Sequence, residues 1–235
     1  MRTMHKLGVV TIAWLTVVGV VRAPAQVVPS AAEVRAYRGL FAAAASGNNR
    51  TAQKLLANGA NPNAIDGYGR TPAHVAAHFR RRTTLATLLR NGTKPNALER
   101  DRYDIITIAA VANDPETIRV ALRYGAKATN ITSRYDGTAL IAAAHLGNVE
   151  SVRVLVAAHA PLNHVNNLHW TALLEAVILG DGGPRHLAIV KILVDAGADV
   201  NLGDASGVTA LGHATSRGYT DMAELLRNAG ARPVG

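Results

Sequence analysis

Residues Thr171 to Asn201 read TALLEAVILGDGGPRHLAIVKILVDAGADVN, two apolar segments parted by a glycine-rich break and closed by Gly-Ala. Thr171 sets a hydroxyl ahead of an apolar run, where a side-chain oxygen can cap the free N–H groups of a helix start. In the second segment Val190, Leu193, Val194 and Gly197 fall at i, i+3, i+4 and i+7, so one helix face is apolar. Gly197 then ends the helix, because glycine tolerates the left-handed backbone that follows a helix C-terminus. A helix pair of this size cannot bury its own apolar face and needs neighbours of the same kind.

The neighbours are in the chain. Aligned on Gly-Ala or its equivalent, the units end at Gly59, Gly92, Gly125, His159, Gly197 and Gly230, with steps of 33, 33, 34, 38 and 33 residues. The slot of Thr171 recurs as Arg38, Thr71, Asp104, Thr138 and Thr209. Self-similarity at this period marks a stacked helical array. The motifs TPAHVAA (Thr71 to Ala77) and AGADVN (Ala196 to Asn201) resemble the helix start and the turn of the ankyrin repeat family, and the resemblance extends over about Tyr37 to Ala231. It implies an all-α solenoid of about six stacked helix–turn–helix units with short β-turn fingers. The units are expected near 37–64, 65–97, 98–130, 131–165, 166–202 and 203–235. For function it implies a recognition module, since one fold serves many partners.

Composition fits this architecture. Of 235 residues, 49% are hydrophobic and only 4% aromatic, so the core is built of Ala, Leu, Val and Ile, which suits close helix stacking. There is no cysteine, hence no disulfide framework and no thiolate chemistry. The formal charge is +9, of which Arg2, Lys6 and Arg22 supply three within residues 1–25, a segment without acids. The remaining excess is spread as single arginines apart from the run Arg80-Arg81-Arg82. A basic surface favours acidic partners, while a merely solvated basic face explains the same numbers.

Arg2 and Lys6 precede the apolar run Leu7 to Val21, and Ala23-Pro24-Ala25 follows with a small-x-small pattern. This pattern predicts a signal peptide over 1–25, cleaved after Ala25, and a mature array over 26–235. The run is short for a membrane-spanning helix, which needs about 20 residues, so membrane contact is expected only through an uncleaved signal. Secretion, or a periplasmic location in a bacterium, is the resulting expectation, with nucleic-acid binding set aside despite the charge.

Individual units carry expectations of their own. Ser30 with Glu33 reads as a capping box for a leading helix. His74 and His78 stand at i, i+4, a spacing that can bind metal. His74, however, is the histidine of the TPxH motif, which the resemblance implies ties neighbouring turns together. No third ligand is placed nearby, and no metal is expected there. His159 stands where the other units have glycine, so it must adopt the left-handed conformation at some cost or end its helix differently.

Two constellations are candidate sites. The first is the row of turns ahead of each helix pair, which the resemblance implies project as fingers beside a concave face. They hold Tyr68 and Arg70, Arg100, Arg102 and Tyr103, Arg134 and Tyr135, then His169 and Trp170. Aromatics are scarce here, and Tyr, Trp and Arg anchor interfaces because they bury much area and still hydrogen-bond. Packing of each tyrosine on its neighbouring finger is the competing reading. The second lies in the fifth unit. Glu175 fills the slot of Val75, Ile108 and Ala142, and His213 fills it in the sixth unit, so the two are expected to pair across stacked helices. A lone buried carboxylate would cost about 1–3 kcal/mol. The adjacent insertion, Gly180-Asp181-Gly182-Gly183-Pro184-Arg185-His186, is either a structural loop pinned by Asp181 or Arg185 or a partner-contact loop. A small-molecule or metal site, possibly hydrolytic, formed by Glu175, Asp181, His186 and His213 is the alternative reading. The glycine-rich stretch lacks the Gly-Lys-Ser/Thr ending of a phosphate loop. The reading that results is a non-enzymatic, monomeric scaffold or inhibitor that binds a protein partner and needs no cofactor.

Overall fold

The computed structural model describes residues 28–233, so the expected signal peptide lies outside the described residues. Thirteen helices occur among them and no sheet; two isolated β-bridges join Thr132 to Gly137 and Gly203 to Thr209. A short leading helix, α1 (Ala31–Ala36), precedes six hairpins. These are α2 (Gly39–Ser46) with α3 (Asn49–Ala57), α4 (Pro72–His78) with α5 (Arg82–Arg90), and α6 (Ile105–Val111) with α7 (Pro115–Arg123). Then come α8 (Ala139–His145) with α9 (Val149–Ala157), α10 (Ala172–Ile178) with α11 (Pro184–Asp195), and α12 (Ala210–Ser216) with α13 (Thr220–Asn228). The first helices stack in one row and the second helices in another. The expected all-α repeat solenoid is the fold observed.

Helices of seven to nine residues are too short to persist alone, so caps and stacking must supply what propensity does not. The threonine slot does the capping. Thr71, Thr138, Thr171 and Thr209 each accept, through the hydroxyl, the N–H three residues on, and Asp104 accepts that of Thr107 at 2.7 Å. Arg38 makes no such bond. At that end α1 adds its own capping box, in which Ser30 and Glu33 exchange bonds. The other ends close with glycines in the left-handed region, and His159 adopts it too, at φ 57°.

Five residues after each cap slot stands an alanine: Ala43, Ala76, Ala109, Ala143, Ala176 and Ala214, none more than 2% exposed. This column lets the first helices approach closely. Leu88, Leu155, Leu193 and Leu226 form a buried column on the second helices. Val190 and Leu193 are both fully buried, as the periodicity of the quoted stretch predicts.

Polar links knit units at both ends of the first helices. At the turns between paired helices, Arg81 Nε donates to Ala45 O at 3.0 Å and Asn148 Nδ2 to Ala110 O at 2.8 Å. His186 Nε2 lies 3.1 Å from His145 O, and the Tyr219 hydroxyl donates to Gly180 O at 3.1 Å. The inserted residues of the fifth unit therefore form one extra turn at the start of α11 and a loop that leaves His186 in the linking role. At the fingers, Arg100 N donates to Tyr68 O (2.9 Å), Ser133 N to Arg102 O (2.8 Å) and Asn167 N to Tyr135 O (2.9 Å).

Candidate functional site

Four fingers are each built around one polar side chain, and in the fourth unit Ser133 Oγ accepts the Tyr135 N–H alone. Asp66 Oδ1 accepts the N–H groups of Tyr68 and Arg70, Glu99 Oε1 those of Asp101 and Tyr103, and Asn166 Oδ1 those of Leu168 and Trp170. Asp204 does the same for Ser206 and Val208. One side chain thus fixes two backbone groups of a tight turn. With the bonds between fingers, this holds the row in place before anything binds.

The expected finger residues divide by exposure. Tyr68 is 39% exposed and lies between two guanidinium groups, Arg70 at 4.5 Å and Arg100 at 5.7 Å from its ring centre. Arg102 and Arg134 are exposed; the first pairs with Asp136 at 2.8 Å, the second with Asp101 at 3.3 Å. His169 is exposed at φ 61°. Tyr103 and Trp170 are half-buried against the core, and Tyr135 is half-buried. Burial raises the Tyr103 phenol above its ordinary range.

Arg70 is a correction. It is 1% exposed and cannot touch a partner directly. Its guanidinium meets Glu33 of α1 and, at 2.8 Å, Asp66, which also accepts the Tyr37 hydroxyl at 2.8 Å. The finger geometry turns this side chain inward, where it fastens the leading helix to the array.

The expected Glu175–His213 pair is also corrected. His213 Nε2 lies 2.8 Å from Asp204 Oδ2 within its own unit. Burial opposes ionisation of Asp204, yet hydrogen bonds from His213, Ser206 and Val208 hold it below the usual carboxylate range. Glu175, 4% exposed, turns to its own finger, where Oε1 accepts Asn166 Nδ2 at 3.1 Å. Its Oε2 is 3.4 Å from His145 Nδ1, within ion-pair reach, but makes no hydrogen bond. Burial pushes the Glu175 carboxyl up to about 7, against the lowering effect of Asn166. Glu175 thus reaches its own finger and His145 of the preceding unit, while His213 is taken by Asp204 of its own finger.

The alternative four-residue site is not assembled. Asp181 bonds His186, Oδ1 to Nδ1 at 2.9 Å, and accepts Gly183 N at 2.9 Å. This pair pins the loop at the far end of α10 from Asn166, about 10 Å away along a seven-residue helix. Asp181 and Arg185 are exposed there, so they do not share a surface with the fingers. Among the described residues no three His, Cys, Asp or Glu side chains gather as a metal set. His74 instead ties turns as the resemblance implies, with Nδ1 on Thr71 and Nε2 3.0 Å from Ala97 O in the next unit. An open groove of about 480 Å³ between α11 and α13, lined by Lys191, Asp195, Asp221 and Glu224 among others, shares no residue with either constellation.

A further set escaped the reading of the sequence. Ile65, Leu98, Ile131 and Val165, 68%, 41%, 38% and 43% exposed, each stand six residues after the unit-ending Gly59, Gly92, Gly125 or His159. The available signal was their identical register. Isolated apolar residues on a surface are ordinary and drew no notice.

Models described as ankyrin repeats match residues 40–90, 106–204 and 162–234. The chain is 31% identical over 190 residues to the ankyrin repeat protein YahD of Escherichia coli K12, covering 80% of this chain and 94% of that one. It is similar to the crystal structure of an ankyrin repeat domain from Acinetobacter baumannii AYE, at 40% identity and TM-score 0.79, over 82% of this chain and 98% of that one. The ankyrin repeat protein EF0377 is likewise similar, at 28% identity and TM-score 0.76, over 81% and 98%.

Proposed function

Because the chain belongs to the ankyrin repeat family, whose fold generally serves as a non-enzymatic scaffold for protein–protein contact, we propose that it is an exported protein-binding module holding its partner on the finger row. The observation that carries this is the exposed set Tyr68, Arg102, Arg134 and His169, on turns fixed by their own hydrogen bonds and bonded to each other. Preorganised turns lose little entropy on binding, and Tyr and Arg supply area with directed polar contacts. Export rests on the pattern of residues 1–25, and the role is that of a scaffold or an inhibitor.

Crosslinking in the native cell envelope tests both parts. Capture of one partner that drops at least tenfold with Tyr68→Ala combined with Arg134→Ala supports the finger site; unchanged capture overturns it. A reporter fused after residue 25 that stays in the cytoplasm refutes export.

A further inference from the structure

Ile65, Leu98, Ile131 and Val165 occupy one slot in four successive units, so stacking in register sets them in a row. Packed helices lie about 8–10 Å apart, so four members span about 30 Å. The sixth unit has Gly203 in this slot, which ends the row. Among the described residues the inter-finger backbone bonds cover the same four units, and none joins the fifth finger to the sixth. Tyr68 and Leu168, 39% and 42% exposed, add apolar surface at the two ends of the row.

Resting on the reading of the fingers as the binding site, we propose that this row receives one acidic amphipathic helix of the partner protein, with an apolar residue every seventh position. A helix rises 1.5 Å per residue, so positions i and i+7 are about 10.5 Å apart, matching the unit spacing. The drift of about 20° per heptad adds up to about 60° over the row, inside the roughly 100° apolar stripe of an amphipathic helix. A strand is the poorer fit, because backbone groups on the fingers are already engaged in turns and in inter-finger bonds. A helix satisfies its own backbone and needs none of them. Charge sets the polar face. Arg102 and Arg134 are paired with Asp136 and Asp101, and Asp66 and Glu99 are half-buried and held in turns, which leaves the exposed Lys94, Arg100 and Lys127 as the positive charges outside these pairs.

The test is selection from a random display library of peptides about 25 residues long against the folded array. Enriched sequences with apolar residues every seven positions and acidic flanks support the proposal. Enrichment at a period of two or three, basic flanks, or no enrichment overturns it. The selected peptide should lose at least tenfold in affinity on Leu98→Asp with Ile131→Asp and be unchanged by Leu146→Asp, an exposed leucine off the row. Circular dichroism melts confirm that each variant is folded. If envelope capture still depends on Tyr68 and Arg134 while the row variants leave it intact, the helix proposal fails and the finger site stands.

Discussion

His159 carries a local cost for a shape the chain needs. At φ 57° a side chain with a β-carbon is crowded, by about 1–2 kcal/mol, where the equivalent residues are glycines. It is exposed, so replacement removes little packing. His159→Gly should raise unfolding stability by about 1 kcal/mol in a urea titration. Glu175 gives a sharper test. Its carboxyl, raised by burial to about 7 from an ordinary 4.5, favours the folded state while protonated. That contribution is complete below the unfolded value near 4.5 and is lost as pH rises through about 7, because the unfolded chain ionises first. His145 at 3.4 Å and Asn166 at 3.1 Å are the polar groups placed against this carboxyl. Each tenfold gain in proton affinity on folding corresponds to about 1.4 kcal/mol. Unfolding free energy should therefore fall between pH 4.5 and 7 by up to a few kcal/mol, and Glu175→Gln should flatten that fall. Equal slopes for the two proteins would show the carboxyl to be solvated in solution.

Among the elements, caps were the most legible. A cap is a local event between residues three apart, so Thr71, Asp104, Thr138, Thr171 and Thr209 could be read directly. The leading helix was legible for the same reason, but its attachment was not. Arg70 looked like an interface residue because its neighbours Tyr68 and Gly69 are turn residues; its partner Glu33 lies 37 positions away. Likewise Glu175 and His213 share a slot, yet Glu175 reaches its own finger and His145 of the preceding unit while His213 pairs within its unit, since the register of a slot does not settle which neighbour a side chain reaches. Removing one partner of a buried ion pair leaves the others uncompensated, at about 3–5 kcal/mol in fully buried cases. Glu33 is partly exposed, so Arg70→Ala should cost about 2–3 kcal/mol and release α1, seen as faster amide exchange over Ala31–Ala36. The insertion was legible as a loop but not as a splice that restores His186 to the link filled by Asn148 in the unit before.

Over the whole molecule, the six-alanine column fixes how closely units approach and hence the pitch of the finger row. Ala143 sits in the fourth unit, fully buried between α6 and α10. Ala143→Leu forces three more heavy atoms into a packed gap, at about 1–3 kcal/mol. In a solenoid each unit contacts only its neighbours, so weakening one junction uncouples the halves instead of lowering stability evenly. Far-UV circular dichroism reports on all thirteen described helices, whereas Trp170 fluorescence reports on the fifth unit; the other tryptophan, Trp14, belongs to the N-terminal segment. The parent protein should unfold with the two signals coincident. In Ala143→Leu they should separate, because the units before and after the junction now melt at different denaturant concentrations. The row of Ile65, Leu98, Ile131 and Val165 crosses the same junction, so the variant should also weaken capture of a partner that spans it. Coincident transitions in the variant would mean that the second helices, through Leu155 and its column, carry the coupling between units on their own.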